Sequence, residues 1–201
     1  MKVTYKIAIF ILVMIEKILT KLGEEMLKKA DQYGWTPLHY AARVRNFNAV
    51  RTFLENGMGR EAAYMKNSDG NTALHLATVS RDGKTMREII KQCPDSSEIV
   101  NNSGWNIFHG AVQEDSVVGV KEILQSRTSL SNLINEKDAQ GNTPLHHSAD
   151  TINLLVINDL IAYPRVDLLA FNNENKNACD IAETNFLESR IDIGSGSIEV
   201  S

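Results

Sequence analysis

A short segment recurs along this chain every 34 to 37 residues, and this repetition limits the fold more than any other feature. Each copy has a turn-forming residue followed by the run Thr-Pro-Leu-His or a variant of it. Four copies centre on a glycine, and a decayed fifth copy has an asparagine in the same place: Gly34, Gly70, Gly104, Gly141 and Asn175. Units of this length bury their apolar faces only by stacking on their neighbours, so the sequence predicts a stacked array.

The residue types within each copy predict a turn followed by a helix. Glycine tolerates the positive φ of such a turn, and asparagine is the next most tolerant residue. Thr36, Thr72 and Thr143 stand where a helix N-cap belongs, and proline follows at the first helical position in two copies. An apolar stripe of helical period then predicts a second helix in each copy, at residues 49–55, 84–91, 117–125 and 154–162.

The period and the Thr-Pro-Leu-His run resemble the ankyrin repeat. The resemblance implies an all-α fold, an ankyrin-repeat solenoid of stacked helix-turn-helix hairpins with β-turn tips. We expect residues 1–30 to form a degenerate half-repeat or N-terminal cap, residues 31–184 to form the repeat domain, and residues 185–201 to form a disordered tail. The expected repeats are 31–66, 67–100, 101–137, 138–171 and a decayed 172–184.

The apolar run at residues 7–15 leaves two interpretations open. It follows Lys2 and Lys6 and could be the core of a short signal peptide, or it could belong to a helix of a damaged first repeat. A run of nine residues is too short to cross a bilayer, which takes about 20. We therefore expect no transmembrane helix.

Composition and charge disfavour some classes of function. The formal net charge of −4 argues against nucleic acid as a partner, because phosphate binding needs a basic surface. The two cysteines, Cys93 and Cys179, lie far apart and indicate reduced thiols in a cytosolic protein rather than a disulfide framework.

Four of the five histidines, His39, His75, His109 and His146, occupy one repeat position. In the ankyrin pattern this imidazole ties the first helix to the neighbouring turn by hydrogen bonds. Rings spaced by roughly 10 Å, the distance between packed helices, cannot share a zinc ion, and the adjacent His147 points in a different direction from His146. Because the sequence also lacks nucleophile and phosphate-binding motifs, we predict no enzyme, metal, cofactor or small-molecule substrate.

Three stretches, at residues 103–112, 133–146 and 163–167, resemble the plant ankyrin/PGG-domain family of the accelerated-cell-death type. Members of that family carry cytosolic ankyrin repeats followed by a C-terminal group of transmembrane helices, and they are linked to defence and cell-death signalling. The present chain stops before any membrane helix, so we expect a form truncated ahead of the membrane domain.

The resemblance implies a non-catalytic protein–protein interaction module in plant defence or cell-death signalling, with a protein partner. We expect it in the cytoplasm or, through partners, at the cytosolic face of the plasma membrane. The alternative is a regulatory subunit of a membrane-bound ankyrin/PGG complex that acts by oligomerising with full-length, membrane-bound relatives.

Ankyrin proteins bind partners with residues around each turn glycine and just after the alanine pair, on the concave side of the stack. The matching positions here are Gln32, Tyr33, Trp35, Arg43, Ser68, Asp69, Asn71, Val79, Asn102, Ser103, Trp105, Gln113, Ala139, Gln140, Asn142 and Asp150. Trp35 and Trp105 directly follow turn glycines, and each is either an interface anchor or a side chain that stiffens its own turn.

Overall fold

The computed structural model of the protein describes residues 25–55, 57, 59–125, 129–151 and 154–195. Within these ranges all regular secondary structure is helical, as the repeat predicts. None of the helices in these ranges combines the length and the apolar composition needed to cross a bilayer. The choice between a signal peptide and a damaged repeat concerns residues outside the described ranges.

Ten α-helices follow one another in the described chain, and most form hairpins of a first and a second helix. A single turn, α1 (Glu25–Lys28), precedes four hairpins: α2 (Pro37–Arg43) with α3 (Phe47–Glu55), α4 (Ala73–Val79) with α5 (Gly83–Gln92), α6 (Ile107–Gln113) with α7 (Val117–Gln125), and α8 (Pro144–Thr151) with α9 (Leu154–Ile161). The last helix is α10 (Ala178–Ser195), and short 3-10 segments follow α3, α5 and α7 at Glu61–Tyr64, Pro94–Glu98 and Ser129–Asn135. All four predicted second helices are confirmed.

The hairpins stack in order and form two layers of helices. The first helices α2, α4, α6, α8 and α10 contact one another in sequence, and so do the second helices α3, α5, α7 and α9. A continuous apolar core runs between the layers and includes the fully buried Phe53, Leu74, Ile89 and Phe108. The architecture is the predicted ankyrin-repeat solenoid.

Two side chains cap the start of each first helix. In α2 the hydroxyl of Thr36 accepts the N–H of His39, and the Nδ1 of His39 accepts the N–H of Thr36 at 3.1 Å. The same reciprocal pairing begins α4, from Thr72 and His75, and α6, from Asn106 and His109. At α8 the Nδ1 of His146 accepts the N–H of Thr143, but the N–H of His146 donates to the backbone carbonyl of Thr143. The predicted threonine caps at Thr36 and Thr72 are therefore confirmed, with histidine in the place that Glu or Gln has in the usual capping box.

The other ring nitrogen of each of these histidines links one repeat to the next. Because the backbone N–H of Thr36 can only donate to Nδ1, the proton of the neutral His39 ring lies on Nε2. That Nε2–H donates to the carbonyl oxygen of Asn71 in the next turn, at 3.0 Å. The later repeats have the same bond at 3.0–3.1 Å: His75 to Trp105, His109 to Asn142 and His146 to Lys176. These bonds confirm the predicted structural role of the four histidines.

The turn glycines are needed both for their φ angle and for the spacing of the stack. The φ of Gly70 is +79°, a value that side chains rarely allow, and the other turn glycines have values of 75–79°. A Cβ on Gly70 would also lie only 2.5 Å from the backbone nitrogen of Asn102 in the next turn. A side chain here would therefore push adjacent repeats apart.

The C-terminal end differs from the expectation. Helix α10 continues through residues 185–195, where we expected a disordered tail. The side chain of Asn185 donates to the carboxylate of Asp150 in α8 at 3.2 Å, so the helix contacts the preceding repeat beyond the predicted boundary. The expected tail at 185–201 therefore overlaps the end of α10, and residues 196–201 lie outside the described part.

We expect Gly70→Ala to destabilise the protein more than Gly57→Ala. Both glycines have φ near +75°, at +79° and +72°, but a Cβ on Gly57 would meet no atom within 4 Å. Gly57→Ala should therefore cost about 1 kcal/mol of unfolding free energy, from the backbone alone. Gly70→Ala should cost more than about 2 kcal/mol, because the next turn must move as well. Urea unfolding measures both, and equal losses would show that the contact between turns adds nothing.

Stability should fall in mild acid because the linking histidines are neutral. Burial lowers the pKa of His75 and of His109 from 6.5 to about 4. Between these values the unfolded chain binds more protons than the folded chain, so the free energy of unfolding decreases as the pH falls. The loss should be on the order of 3 kcal/mol for each ring across this window, with a plateau above it.

Urea unfolding at a series of pH values across that window tests this. His75→Gln removes one of the titrating rings, so its stability, although lower, should depend less steeply on pH. A wild-type stability that stays level or rises on acidification would contradict the neutral Nε2–H form.

Candidate functional site

The turns lie side by side along one edge of the stack and form a surface that we call the turn face. It consists of residues 31–35, 67–71, 101–105, 138–142 and 172–176 together with the adjoining sides of the first helices. The predicted binding residues at the tips are exposed, with Tyr33 at 60%. Exposed with it are Gln32, Ser68, Asp69, Asn102, Ser103, Ala139, Gln140 and Asp150, and half-buried are Trp35, Arg43, Asn71, Val79, Trp105, Gln113 and Asn142.

Backbone hydrogen bonds join neighbouring turns into a continuous row. The N–H of Ser68 donates to the carbonyl oxygen of Tyr33 at 2.9 Å. The same bond recurs at 3.0–3.2 Å between later turns: Asn102 to Asp69, Ala139 to Ser103, and Asn173 to Gln140. The tips are therefore held at fixed spacings, and little backbone order remains to be gained when a partner binds.

The asparagines that follow two of the turn glycines use their side chains in hydrogen bonds between neighbouring turns. The Oδ1 of Asn71 accepts from the Nδ2 of Asn101 at 3.0 Å, and the Oδ1 of Asn142 accepts from the Nδ2 of Asn172 at 2.8 Å. Asn71 and Asn142 are in the predicted binding set, but these oxygens join one turn to the next.

Both tryptophans have structural contacts. The Nε1–H of Trp105 donates to Asp138 in the next turn at 3.2 Å, and its ring centroid lies 5.1 Å from that of His147. The ring of Trp35 lies 5.0 Å from Tyr40 and packs against the core. Both indoles thus have contacts within the stack, and each also lines the cavity described below.

Asn67 is the one buried turn residue in the described ranges whose side-chain amide nitrogen has no hydrogen-bond partner. It is 6% exposed and stands, by repeat register, opposite Trp35. Its Oδ1 accepts the N–H groups of Asp69 and Asn71 at 3.0 and 2.9 Å, but its Nδ2 has no hydrogen-bond partner in the described ranges. Since the amide Nδ2–H and the Trp35 indole N–H are both donors, they cannot bond to each other.

A buried carboxylate organises the turn face between the third and fourth repeats. The side chain of Asp138 has no exposed surface. One oxygen accepts the N–H groups of Gln140 and Asn142 at 2.9 and 2.8 Å, and the other accepts from His147 at 2.8 Å and from Trp105 at 3.2 Å. Burial acts to raise the pKa of Asp138, but the hydrogen bonds from His147 and the backbone outweigh it and lower the pKa.

Tyr40 occupies in the first repeat the helix position that His147 has in the fourth. Its hydroxyl donates to the carboxylate of Asp31 at 2.6 Å. Burial and this hydrogen bond raise the pKa of Tyr40 to about 12, so the phenol stays protonated and acts as a donor.

One group of residues has the composition of a metal site. The ligand atoms of His109, Asp138 and His147 all lie within 4.8 Å of one another, and such a set suits zinc. The sequence analysis compared His147 only with its neighbour His146, and so it missed that His147 lies edge-on to the ring of His109, with centroids 5.5 Å apart. Only the stacking of two repeats brings these residues together.

The hydrogen bonds of this group already serve the stack. His109 accepts at Nδ1 from the N–H of Asn106 and donates from Nε2 to the carbonyl of Asn142. A metal on Nε2 would have to break the link between the third and fourth repeats. The arrangement therefore fits a structural network better than a resident ion.

The two cysteines have no disulfide bond, as expected. Cys93 is buried at the end of α5, and burial raises the pKa of its thiol. Cys179 is exposed near the start of α10. Because a nucleophilic cysteine needs a lowered pKa, Cys93 is not an activated thiol.

An apolar cavity of about 280 Å³ opens on the turn face between Trp35 and Trp105. The apolar residues Leu76, Val79 and Ile107 line it. So do Gly110 and the polar residues Arg43, Asn71, His75, Asn101 and Glu114. Six of these residues are outside the predicted binding set: His75, Leu76, Asn101, Ile107, Gly110 and Glu114. A comparison of the residue after the repeated histidine in each copy could have singled out Gly110, because the other copies carry a larger side chain there.

A second cavity, of about 300 Å³, lies between the fourth and fifth repeats. Its lining includes Asp150, Glu174, Lys176 and Asn185. These groups bond to one another, Asn185 to Asp150 and Lys176 to Glu174.

Comparison with known proteins identifies the repeat. Residues 9–94 match the family model described as ankyrin repeats (3 copies). The NAD-dependent deacetylase sir2B of Dictyostelium discoideum is 23% identical over 192 residues, which cover 89% of this chain and 24% of that protein. Mouse Rabankyrin-5 is 24% identical over 131 residues, covering 65% of this chain and 11% of that protein.

Mouse Inversin is 22% identical over 192 residues, covering 77% of this chain and 18% of that protein. The chain thus spans less than a quarter of the length of these relatives, so the comparison concerns the repeats and not the whole proteins. The comparisons support ankyrin repeats, and the narrower likeness to the plant ankyrin/PGG family stays a prediction.

We expect Asn67→Asp to stabilise the protein. The substitution replaces the unpaired Nδ2 by an oxygen that can accept the Trp35 indole N–H, as Asp138 accepts that of Trp105. The free energy of unfolding should rise by about 1 kcal/mol at neutral pH.

Asn101→Asp is the matched control. The Nδ2 of Asn101 donates to Asn71, so the same change removes a donor and places two acceptors together. It should destabilise the protein by about 1–3 kcal/mol. Urea unfolding measures both variants, and shifts of the same sign would rule out the donor mismatch as the cause.

Proposed function

We propose that the turn face binds a protein partner and that the chain acts as a non-catalytic interaction module. The observation that carries this proposal is the row of exposed side chains on turns that are hydrogen-bonded to one another, beside an apolar cavity walled by two tryptophans. Polar tips around an aromatic centre have the composition of a protein interface, where a few aromatic and arginine anchors supply most of the binding energy.

Other classes of ligand fit this surface less well. The net charge of −4 disfavours nucleic acid. The prediction that the chain is not an enzyme rests on the absence of catalytic motifs from the sequence and on the engagement of the four repeated histidines in links between repeats. The activity named for the deacetylase relative is not carried over, because the match covers 24% of that protein.

The narrower roles rest on the sequence resemblance alone. They are plant defence or cell-death signalling in the cytoplasm or at the cytosolic face of the plasma membrane. The alternative is a regulatory subunit that oligomerises with membrane-bound ankyrin/PGG relatives. The two differ in the identity of the partner that the turn face contacts.

Site-specific photo-crosslinking tests the proposal in cells that express the full chain. A benzophenone amino acid replaces the exposed Tyr33 or Gln140 on the turn face, or the exposed Lys91 or Val118 on the second helices. We expect turn-face positions to give crosslinked protein partners and second-helix positions to give none above background, because the partner covers only one face of the stack.

Mass spectrometry of the products names the partner, and a membrane-bound ankyrin/PGG protein among them would favour the alternative role. Crosslinks that arise from the second helices alone would contradict the assignment of the turn face.

A further inference from the structure

The first helix of the third repeat lacks a side chain that the other repeats have. The residue after the repeated histidine is Tyr40, Leu76 or His147 in three of the other copies, but Gly110 in the third. In the decayed fifth copy Asp180 stands in place of the histidine, and Ile181 follows it. Tyr40 and His147 reach from this position to carboxylates of their own turns. A Cβ on Gly110 would meet no atom within 4 Å, so the position is open although glycine is unfavourable inside a helix.

The open position is part of the cavity between Trp35 and Trp105. At about 280 Å³ the cavity lies below the usual range for small-molecule sites and suits a single large side chain. Its lining combines the two indoles with Leu76 and Val79, so an apolar side chain would displace water from apolar surface there.

Charged groups differ on the two sides of this cavity. On the side of the first two repeats lie Arg43, which lines the cavity, and Arg45, in the loop that follows α2. Arg81, in the loop after α4, donates to the backbone carbonyl oxygen of Glu114 at 2.7 Å. The corresponding loop after α6 carries Glu114 and Asp115.

Neither Arg43 nor Glu114 belongs to an ion pair within the described ranges. Arg43 donates to the hydroxyl of Ser80 at 3.3 Å, a neutral partner. Its guanidinium can therefore still take a carboxylate from outside the chain.

We propose that this cavity receives one large aliphatic or aromatic side chain from a polypeptide segment of the partner, with acidic residues of that segment next to Arg43 and basic residues next to Glu114. The inference rests on the proposed function and adds the chemistry of the partner. The missing side chain at Gly110 sets the position of the anchor, and the opposite charges set the direction in which the segment lies.

The test uses a phage-displayed library of random peptides selected on the full chain, followed by fluorescence polarisation with labelled synthetic copies of the enriched peptides. We expect a motif with one large apolar residue and acidic residues on one side of it. Gly110→Leu fills the cavity and should weaken binding at least about tenfold. Since the Cβ position at Gly110 is open and leucine suits a helix better than glycine, the melting temperature should not fall.

Gly110→Ala is the matched control, because it removes the glycine but adds only a methyl group. It should keep its affinity within about threefold and melt no lower than the wild type. Arg43→Glu should weaken the same peptides, and lysine in place of their acidic residues should restore binding.

Three results would overturn the inference: no enriched motif, selected peptides that bind Gly110→Leu as tightly as the wild type, or peptides indifferent to Arg43→Glu. The crosslinking experiment separates this from the proposed function. If turn-face crosslinks persist in Gly110→Leu at wild-type yield, the cavity is not the anchor site although the turn face still binds the partner.

Discussion

The stack depends on one hydrogen bond, from the Nε2–H of a buried histidine to a carbonyl oxygen of the next turn. The same ring accepts at Nδ1 from the N–H of its own helix cap, so a single neutral side chain holds both a helix start and a junction between repeats. Because water is excluded there, an unpaired carbonyl or ring nitrogen would carry a large desolvation cost. The bond therefore fixes the register of each hairpin on its neighbour and requires the neutral form of the ring.

This link also determines what the turns can offer a partner. It fixes the spacing of the turns, and the row of backbone bonds between them leaves only their tips exposed. Many polar atoms on the turn face already form hydrogen bonds within the stack. Examples are the side-chain oxygens of Asn71 and Asn142 and the carboxylate of Asp138. The groups that remain for binding a partner lie mostly at positions where one repeat differs from the others in sequence. Gly110 and the two tryptophans are such positions.

The repeat allowed much of this to be predicted. The threonine caps, the turn glycines, the second helices and the role of the four histidines follow from local rules that hold within one hairpin. Predictions of side-chain contacts between two neighbouring repeats were less complete. Trp105 was considered within its own turn, but its indole bonds to Asp138 in the next turn, and His147 was compared with its sequence neighbour and not with His109 in the adjacent repeat. The hydrogen bond from Asn185 in α10 to Asp150 in α8 likewise joins two repeats.

The sequence alone determined the type of fold and the period, because positive-φ glycines, helix caps and apolar stripes act over a few residues and recur in each copy. It also placed the residues of the turn tips. Only the tertiary structure decided which of those residues are free to meet a partner, since a side chain on a turn can bond across to the next repeat or point outward. The cavity between Trp35 and Trp105 belongs to three repeats together, and its shape follows from how their helices and turns pack.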